Sequence, residues 1–443
     1  MIRKIIRGTA KALAMTIGWG NWRRAIGQSL CPLPILLLST MVQPAQALPS
    51  FGVQTGQPCA ACHIGAFGPQ LTQYGRDFKL FGYVAAEPGK NHFPPISVTD
   101  QATVTHTQKD QPPGSVHAPR FSTNDNISPA QELSVFYAGT VIPKQLGAFV
   151  EVHYEAADST ILLSNVDIRH AKEGHFLGSD LEWGITFNNN PTVQDIWNST
   201  PAWGFPYFAS ALAPTPAATA RLDVGGVTSY GLGLYGMWND LIYAEVDFYK
   251  QLPKESLLLL GQPIHNIDVA TGVSPYWRLA LQQNFDKEHQ YIELGTLGMT
   301  QNIRPGGDTT TGLTDHYLDN AIDVNYQWYS NPNDVRALVL SAHSIYLHET
   351  EALDASSLLI GSNRNNHLDS FRADASLAID GTYVPSLQYF RKTGSSDPSG
   401  VWGSDVAGNP VTNPKSSGWV GELAYAPWGK PDSFAPNMNA RLT

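Results

Sequence analysis

The sequence predicts a mainly β chain: an antiparallel β-barrel of the outer-membrane type, preceded by a small helical segment. Three observations carry this. From about position 96 onward, stretches of roughly ten residues alternate apolar with polar side chains, the period of a strand whose two faces meet different surroundings. Turn formers are abundant, with 39 Gly and 31 Pro, while only 15% of the residues are charged. Tyr and Trp gather near the ends of the alternating stretches, where a barrel in lipid carries its aromatic girdles.

The first element reads as an export leader. Arg3, Lys4, Arg7, Lys11, Arg23 and Arg24 precede an apolar run from Leu30 to Met41, and Ala45-Gln46-Ala47 closes it as a small-x-small cleavage site. Residues 1–47 are therefore expected to be a signal peptide, with the mature chain starting at Leu48. The run is short for a membrane span, which disfavours the competing reading of a retained anchor. Cys31 falls within the leader, and the residues before it do not form a lipoprotein site. No Asp or Glu occurs before position 48, so the mature part carries 22 of the 28 bases against all 38 acids. That balance disfavours a duplex-binding surface, so no nucleic-acid partner is expected, because phosphates need a basic stripe.

The next element is Cys59-Ala60-Ala61-Cys62-His63. Two thioether bonds to haem vinyl groups need thiols about one helical turn apart, and the residue that follows then lies under the iron as its proximal imidazole. A thioredoxin-type dithiol would want a βαβ setting, yet Gly56, Gln57 and Pro58 precede the pair. A zinc site needs four ligands, and there is no second cysteine pair. The motif implies one covalently bound haem c, tethered by Cys59 and Cys62 and ligated by His63. Attachment takes place outside the inner membrane, in agreement with the leader.

Residues 48–95 form the haem segment. Apolar residues at Leu71, Tyr74, Phe78 and Phe81 share a helical face despite Gly75. On that helix Arg76 and Lys79 are either partners of the haem propionates or solvated charges. A segment of fewer than 50 residues is too small to bury a haem alone, so the rest of the chain must supply walls. No methionine lies between Met41 and Met237, which leaves the distal ligand open. His92 is the nearest later imidazole and the first candidate, ahead of His106, His117, His153 and His170, with water as another option.

A Pro-rich link, Glu87 to Ile96, leads into the barrel, 96–443. Strands are expected near 96–107, 131–141, 145–156, 162–171, 179–188, 227–238, 241–250, 275–285, 289–300, 318–329, 334–347, 368–378, 381–391 and 418–426. Ile242, Ala244, Val246 and Phe248 share one face of their strand, opposite Tyr243, Glu245, Asp247 and Tyr249. Phe149, Glu151 and His153 oppose Leu146, Ala148, Val150, Val152 and Tyr154; Asp323, Asn325 and Gln327 oppose Ile322, Val324, Tyr326 and Trp328. Ile142-Pro143-Lys144 and Trp238-Asn239-Asp240 read as tight turns on one rim, with long loops at 189–226, 251–274 and 392–417 on the other. A set of β-sandwiches also alternates, but it would need several copies and the chain has no repeat. Bacterial barrels have an even strand number, and this chain stops at Thr443, by the pattern inside a fifteenth strand; C-terminal truncation is the expectation.

Phe51 to Tyr83, with Gln54-Thr55-Gly56 before the haem motif and Leu71-Thr72 after it, resembles the fused monohaem cytochrome–porin family of bacterial outer membranes, whose best-known members are iron(II) oxidases. The run Asn188 to Trp197 and on to Trp203-Gly204-Phe205-Pro206-Tyr207 looks like that family's barrel. The resemblance implies a barrel of about 16 strands with the cytochrome segment plugging its mouth. It further implies an iron(II):cytochrome c oxidoreductase working by outer-sphere electron transfer, with extracellular Fe(II) or another reductant as donor, a periplasmic cytochrome or other carrier as acceptor, and outer-membrane lipid around it. Glu151, Glu245 and Asp247 then read as acids that draw in Fe²⁺, or as solvated lumen carboxylates. Two other classes stay open: a porin with a structural haem plug, and a soluble periplasmic electron carrier.

Overall fold

The computed structural model describes residues 48–85, 95–110, 124–155, 160–210, 212–213, 218–224, 229–260, 264, 267–403 and 410–443. The expected leader, His92 and His117 lie outside these residues. The described residues fall in one compact unit.

Strands run in chain order through a 15-stranded antiparallel sheet. They are β1 Ile96–His106, β2 Asp125–Ile142, β3 Leu146–Glu155, β4 Thr160–Phe176, β5 Ser179–Asn188, β6 Ser229–Trp238, β7 Ile242–Gln251, β8 Val269–Thr271, β9 Ser274–Phe285, β10 Gln290–Arg304, β11 Asp315–Tyr329, β12 Val339–Ala352, β13 Asn365–Ala378, β14 Tyr383–Gly394 and β15 Ser416–Tyr425. Each pairs with its neighbours as a meander; only the short β8 leaves the path, adding to the end of β10. Every expected strand is present, and the departures have local causes. β2 begins at Asp125 rather than near 131, because Pro129 sits where the β1–β2 register shifts and is absorbed by a bulge instead of ending the strand. β12 begins at Val339 rather than 334, because Asp334 and Ala337 donate into successive turns at Asn331 and Asp334.

The faces divide as the alternation requires. On β7, Tyr243, Glu245, Asp247 and Tyr249 are buried, while Ala244, Val246 and Phe248 are exposed. Leu232, Leu234, Leu279, Leu281, Ile292, Leu294, Ile322 and Val324 continue the exposed apolar belt across neighbouring strands. This is an outer-membrane barrel's surface: apolar outside, polar within, with strands laddered to their neighbours from β1 through β15. Tight turns join the strands on one rim, including Asn239-Asp240 with both residues at positive φ, the type I′ requirement. The connection that follows β5 leaves from the other rim.

The N-terminal segment places three helices in the interior: α1 Pro49–Thr55, α2 Cys59–Cys62 and α3 Gln73–Leu80. They touch strands all round the sheet. Gln54 donates to the Tyr83 carbonyl and accepts from the Thr140 amide on β2. The Tyr83 hydroxyl reaches Asp167 on β4 at 2.6 Å, and Ile64 packs with Val339, Ala378, Val384 and Ala424 from β12 to β15. Among the described residues β1 and β15 share no ladder, and the helices link them. Ser97 on β1 bonds Ser50 in α1. Gly52 in α1 abuts Asn437, and Leu442 forms a bridge with Tyr425 on β15.

The C-terminal residues depart from expectation. Beyond Tyr425 the chain leaves the sheet and folds over the helical N-terminal segment, where its carbonyls accept from helix amides that have no partner within their own short helix. The connection between β5 and β6 also enters the interior, where Asp195 joins Glu293 and Asp323 around the fully buried Arg278.

Candidate functional site

Cys59 and Cys62 end a single helical turn, capped N-terminally by Pro58, and the His63 amide closes that turn on the Cys59 carbonyl at 2.9 Å. The two N-terminal amides of α2 are satisfied from the far end of the chain. Cys59 donates to Pro436 at 3.0 Å and Ala60 to Gly429 at 2.9 Å. Asn439, fully buried, donates to Ala66 and Trp428 at 2.9 Å and accepts from the Trp428 amide, fixing the clasp. On the other side, α3 lies directly on α2. A Cβ at Gly75 would come within 2.3 Å of the Cys62 carbonyl oxygen, so only glycine permits this approach. Thr72 caps α3 by accepting from the Gly75 amide, and donates to the Ala61 carbonyl at 2.6 Å.

Cys59, Cys62 and His63 line one side of a cavity of about 360 Å³. Phe51, Phe67 and Phe78 from the N-terminal helical segment, Phe136 and Phe149 from β2 and β3, and Trp203 and Tyr207 from the β5–β6 connection complete its apolar wall. The walls that the short segment lacked thus come from the barrel and its inner loop. Volume and composition are those of a small-molecule site, about 300–1,000 Å³ and largely aromatic.

The donor set suits a covalently held haem. Cys59 and Cys62 are not joined as a disulfide, and burial pushes each thiol up to about 12, with Cys59 adding to the effect on Cys62. A redox dithiol needs the opposite shift, so this environment disfavours that chemistry. Burial, only partly offset by the Gly68 backbone, lowers His63 to about 4. The imidazole is therefore neutral at neutral pH, with the lone pair a metal requires, and its Nδ1 is buried without a hydrogen-bond partner.

The helix charges separate. Lys79 lines the cavity; Arg76 does not. Arg76 is 4% exposed and donates to Leu71 and Gln327 while stacking 3.8 Å from the Tyr291 ring centroid. Lys79 is 5% exposed, donates at 2.7 Å to both Val193 and Asn198, and lies 4.5 Å from the Trp203 ring centroid. Neither is a solvated helix charge. The expected apolar stripe is corrected too, since Tyr74 is exposed while Gly75, Arg76, Phe78, Lys79 and Leu80 are buried. α3 is enclosed on several sides, so burial follows its neighbours rather than one face.

Of the described histidine candidates, only His153 lines the cavity. His106, exposed, pairs with Asp125 at 2.6 Å, and His170, half-buried, bonds the Gln145 carbonyl at 2.7 Å. Glu151 lines the cavity and is 6% exposed. Glu245 and Asp247 are sealed beneath the β5–β6 connection, where Gln194 donates to Asp247 at 3.0 Å, so they are not solvated lumen carboxylates. Sequence reasoning missed Glu132, which joins Glu151 and His153 on the cavity wall. No local signal marks it, because the grouping depends on the β2–β3 register.

No protein-family model matches the chain, and no curated protein matches it. Among solved structures it is similar to OmpT, an outer membrane protein of Vibrio cholerae, at 9% identity and a TM-score of 0.34, covering 74% of this chain and 96% of that one. A form of OmpT lacking loop L8 gives 9% identity, 68% and 92% coverage and a TM-score of 0.31. Scores this low carry no argument about function, and the fold rests on the strand ladder itself.

Proposed function

We propose that this chain is an outer-membrane monohaem cytochrome–porin, exported through its N-terminal leader, that conducts electrons from an extracellular donor, Fe(II), to a periplasmic electron carrier. The observation that carries this reading is the placement of the Cys59-x-x-Cys62-His63 motif on the wall of an aromatic cavity inside a β-barrel. Haem c held there would supply a one-electron couple. In this reading Cys59 and Cys62 tether the group, His63 ligates its iron, and Lys79 stands by to balance a propionate. The aromatic side of the cavity would place apolar surface beside the group, which with axial ligation tunes the potential. Each Fe²⁺ oxidised to Fe³⁺ releases one electron, and the periplasmic carrier gains it.

The exposed apolar belt favours a membrane setting over a soluble carrier. The test is optical: the full-length, haem-loaded protein is mixed anaerobically with Fe(II), and its absorption spectrum is followed over a range of pH. Reduction that depends on Fe(II) is expected. Its absence at every pH would remove Fe(II) as donor, and failure to reduce with any small-molecule reductant would remove electron conduction itself.

A further inference from the structure

We propose that Glu132, Glu151 and His153 form a binding site for a divalent first-row metal ion, set in the wall of the cavity that holds the cysteine motif. Under the electron-conduit reading, on which this inference builds, the ion is the Fe(II) substrate.

One ligand atom from each of the three side chains lies within 4.8 Å of the others. The register explains the convergence. Ser134 faces His153 and Phe136 faces Glu151 across the β2–β3 ladder, so Glu132, two residues before Ser134, reaches the same patch of inner wall. The donors are mixed, two carboxylates and an imidazole, a set suited to Mn²⁺, Fe²⁺ or Zn²⁺ rather than to a simple run of surface acid. No hydrogen bond engages the His153 ring among the described residues, and the side chain faces the cavity. The two carboxylates are short of donors. Ser134 lies 2.9 Å from Glu132 and 2.7 Å from Glu151, but its hydroxyl has one proton and serves one of them at a time. Asn165 satisfies the other Glu151 oxygen at 2.7 Å.

Charge distinguishes this group from the ion-paired interior acids, and its place on the cavity wall distinguishes it from Asp319, Glu349 and Glu351, which are buried away from that cavity and form no ion pair with Lys or Arg among the described residues. Asp195, Glu293 and Asp323 surround Arg278; Asp167 pairs with Arg169; Asp223 pairs with Arg372 and Lys392. Among the described residues neither Glu132 nor Glu151 forms an ion pair with Lys or Arg. Two adjacent carboxylates without a counter-cation repel one another, and a divalent ion relieves that repulsion. This wall is also open to the cavity, whereas Glu245 and Asp247 are enclosed.

The haem-loaded, full-length protein in detergent is titrated with Mn²⁺ alone, and the free ion is read by EPR. One site per chain is expected, displaced by Zn²⁺, which binds such ligands more tightly. Glu132→Gln and His153→Ala should each weaken Mn²⁺ about ten-fold or more, the scale of a lost metal-site interaction, while the barrel's heat-modifiable mobility stays unchanged. Absence of a stoichiometric site, or equal affinity in folded variants, would overturn the proposal. So would a change of haem spin state in His153→Ala, which would give that imidazole to the haem iron instead. Retained Mn²⁺ binding without reduction by Fe(II) would support the site and refute only the donor.

Discussion

Glycine in the middle of a helix ordinarily costs about 1 kcal/mol relative to alanine. Helix propensity alone therefore predicts that Gly75→Ala stabilises α3. Contact with the Cys62 carbonyl reverses the sign, because a methyl group 2.3 Å from that oxygen must force the two helices apart. The expected outcome is destabilisation of about 1–3 kcal/mol, the range for overpacking, together with reduced haem incorporation. A thermal midpoint in detergent that is unchanged or raised would contradict this. Lys79 gives a pH-dependent case. Burial, with Arg169 adding to it, pushes its amine down from 10.5 to about 7, and a neutral amine still has two hydrogens for Val193 and Asn198. Between these values the unfolded haem-free chain binds more protons than the folded one, so stability rises with pH across that window. Lys79→Met should abolish the rise, measured as thermal midpoints of the haem-free chain between about pH 7 and 10. Equal slopes in parent and variant would contradict the assignment.

At the scale of elements, short helix α2 depends on the opposite end of the chain for its amide partners. Asn439 makes that dependence testable. Asn439→Ala leaves the Ala66 and Trp428 groups short of partners, a loss of about 1–3 kcal/mol for buried polar groups. Lower thermal stability and slower haem attachment are expected; parity with the parent would show that the clasp is incidental. The C-terminal fold also marks where sequence reading ends. The strands were legible because alternation is local, and even Pro129 displaced only one boundary. Cys59, Cys62 and His63 stood out as a local motif, and the structure places all three on one cavity wall. The buried state of Arg76 and Lys79 was not legible, since it depends on Gln327, Val193 and Asn198, each more than a hundred positions away. Glu132 was hidden for the same reason on a smaller scale, as its neighbours are set by strand register.

For the whole molecule, the barrel and haem segment explain one another. The segment is too small to enclose a large prosthetic group, while Phe136 and Phe149 of the barrel and Trp203 of its inner connection complete the missing wall. The barrel in turn has no ladder between β1 and β15 among the described residues, and α1 and the C-terminal residues join those strands. The central claim is that a single haem is covalently held within this assembly. Its most direct measurement is the pyridine haemochrome of the full-length protein, purified from outer membranes after co-expression with c-type haem maturation. The account predicts one haem per chain, resistant to acid–acetone extraction, with the spectrum of two saturated vinyl groups and with loss of covalent attachment in a Cys59→Ser, Cys62→Ser double variant. Folded barrel without covalent haem, or haem that extracts freely, would contradict it.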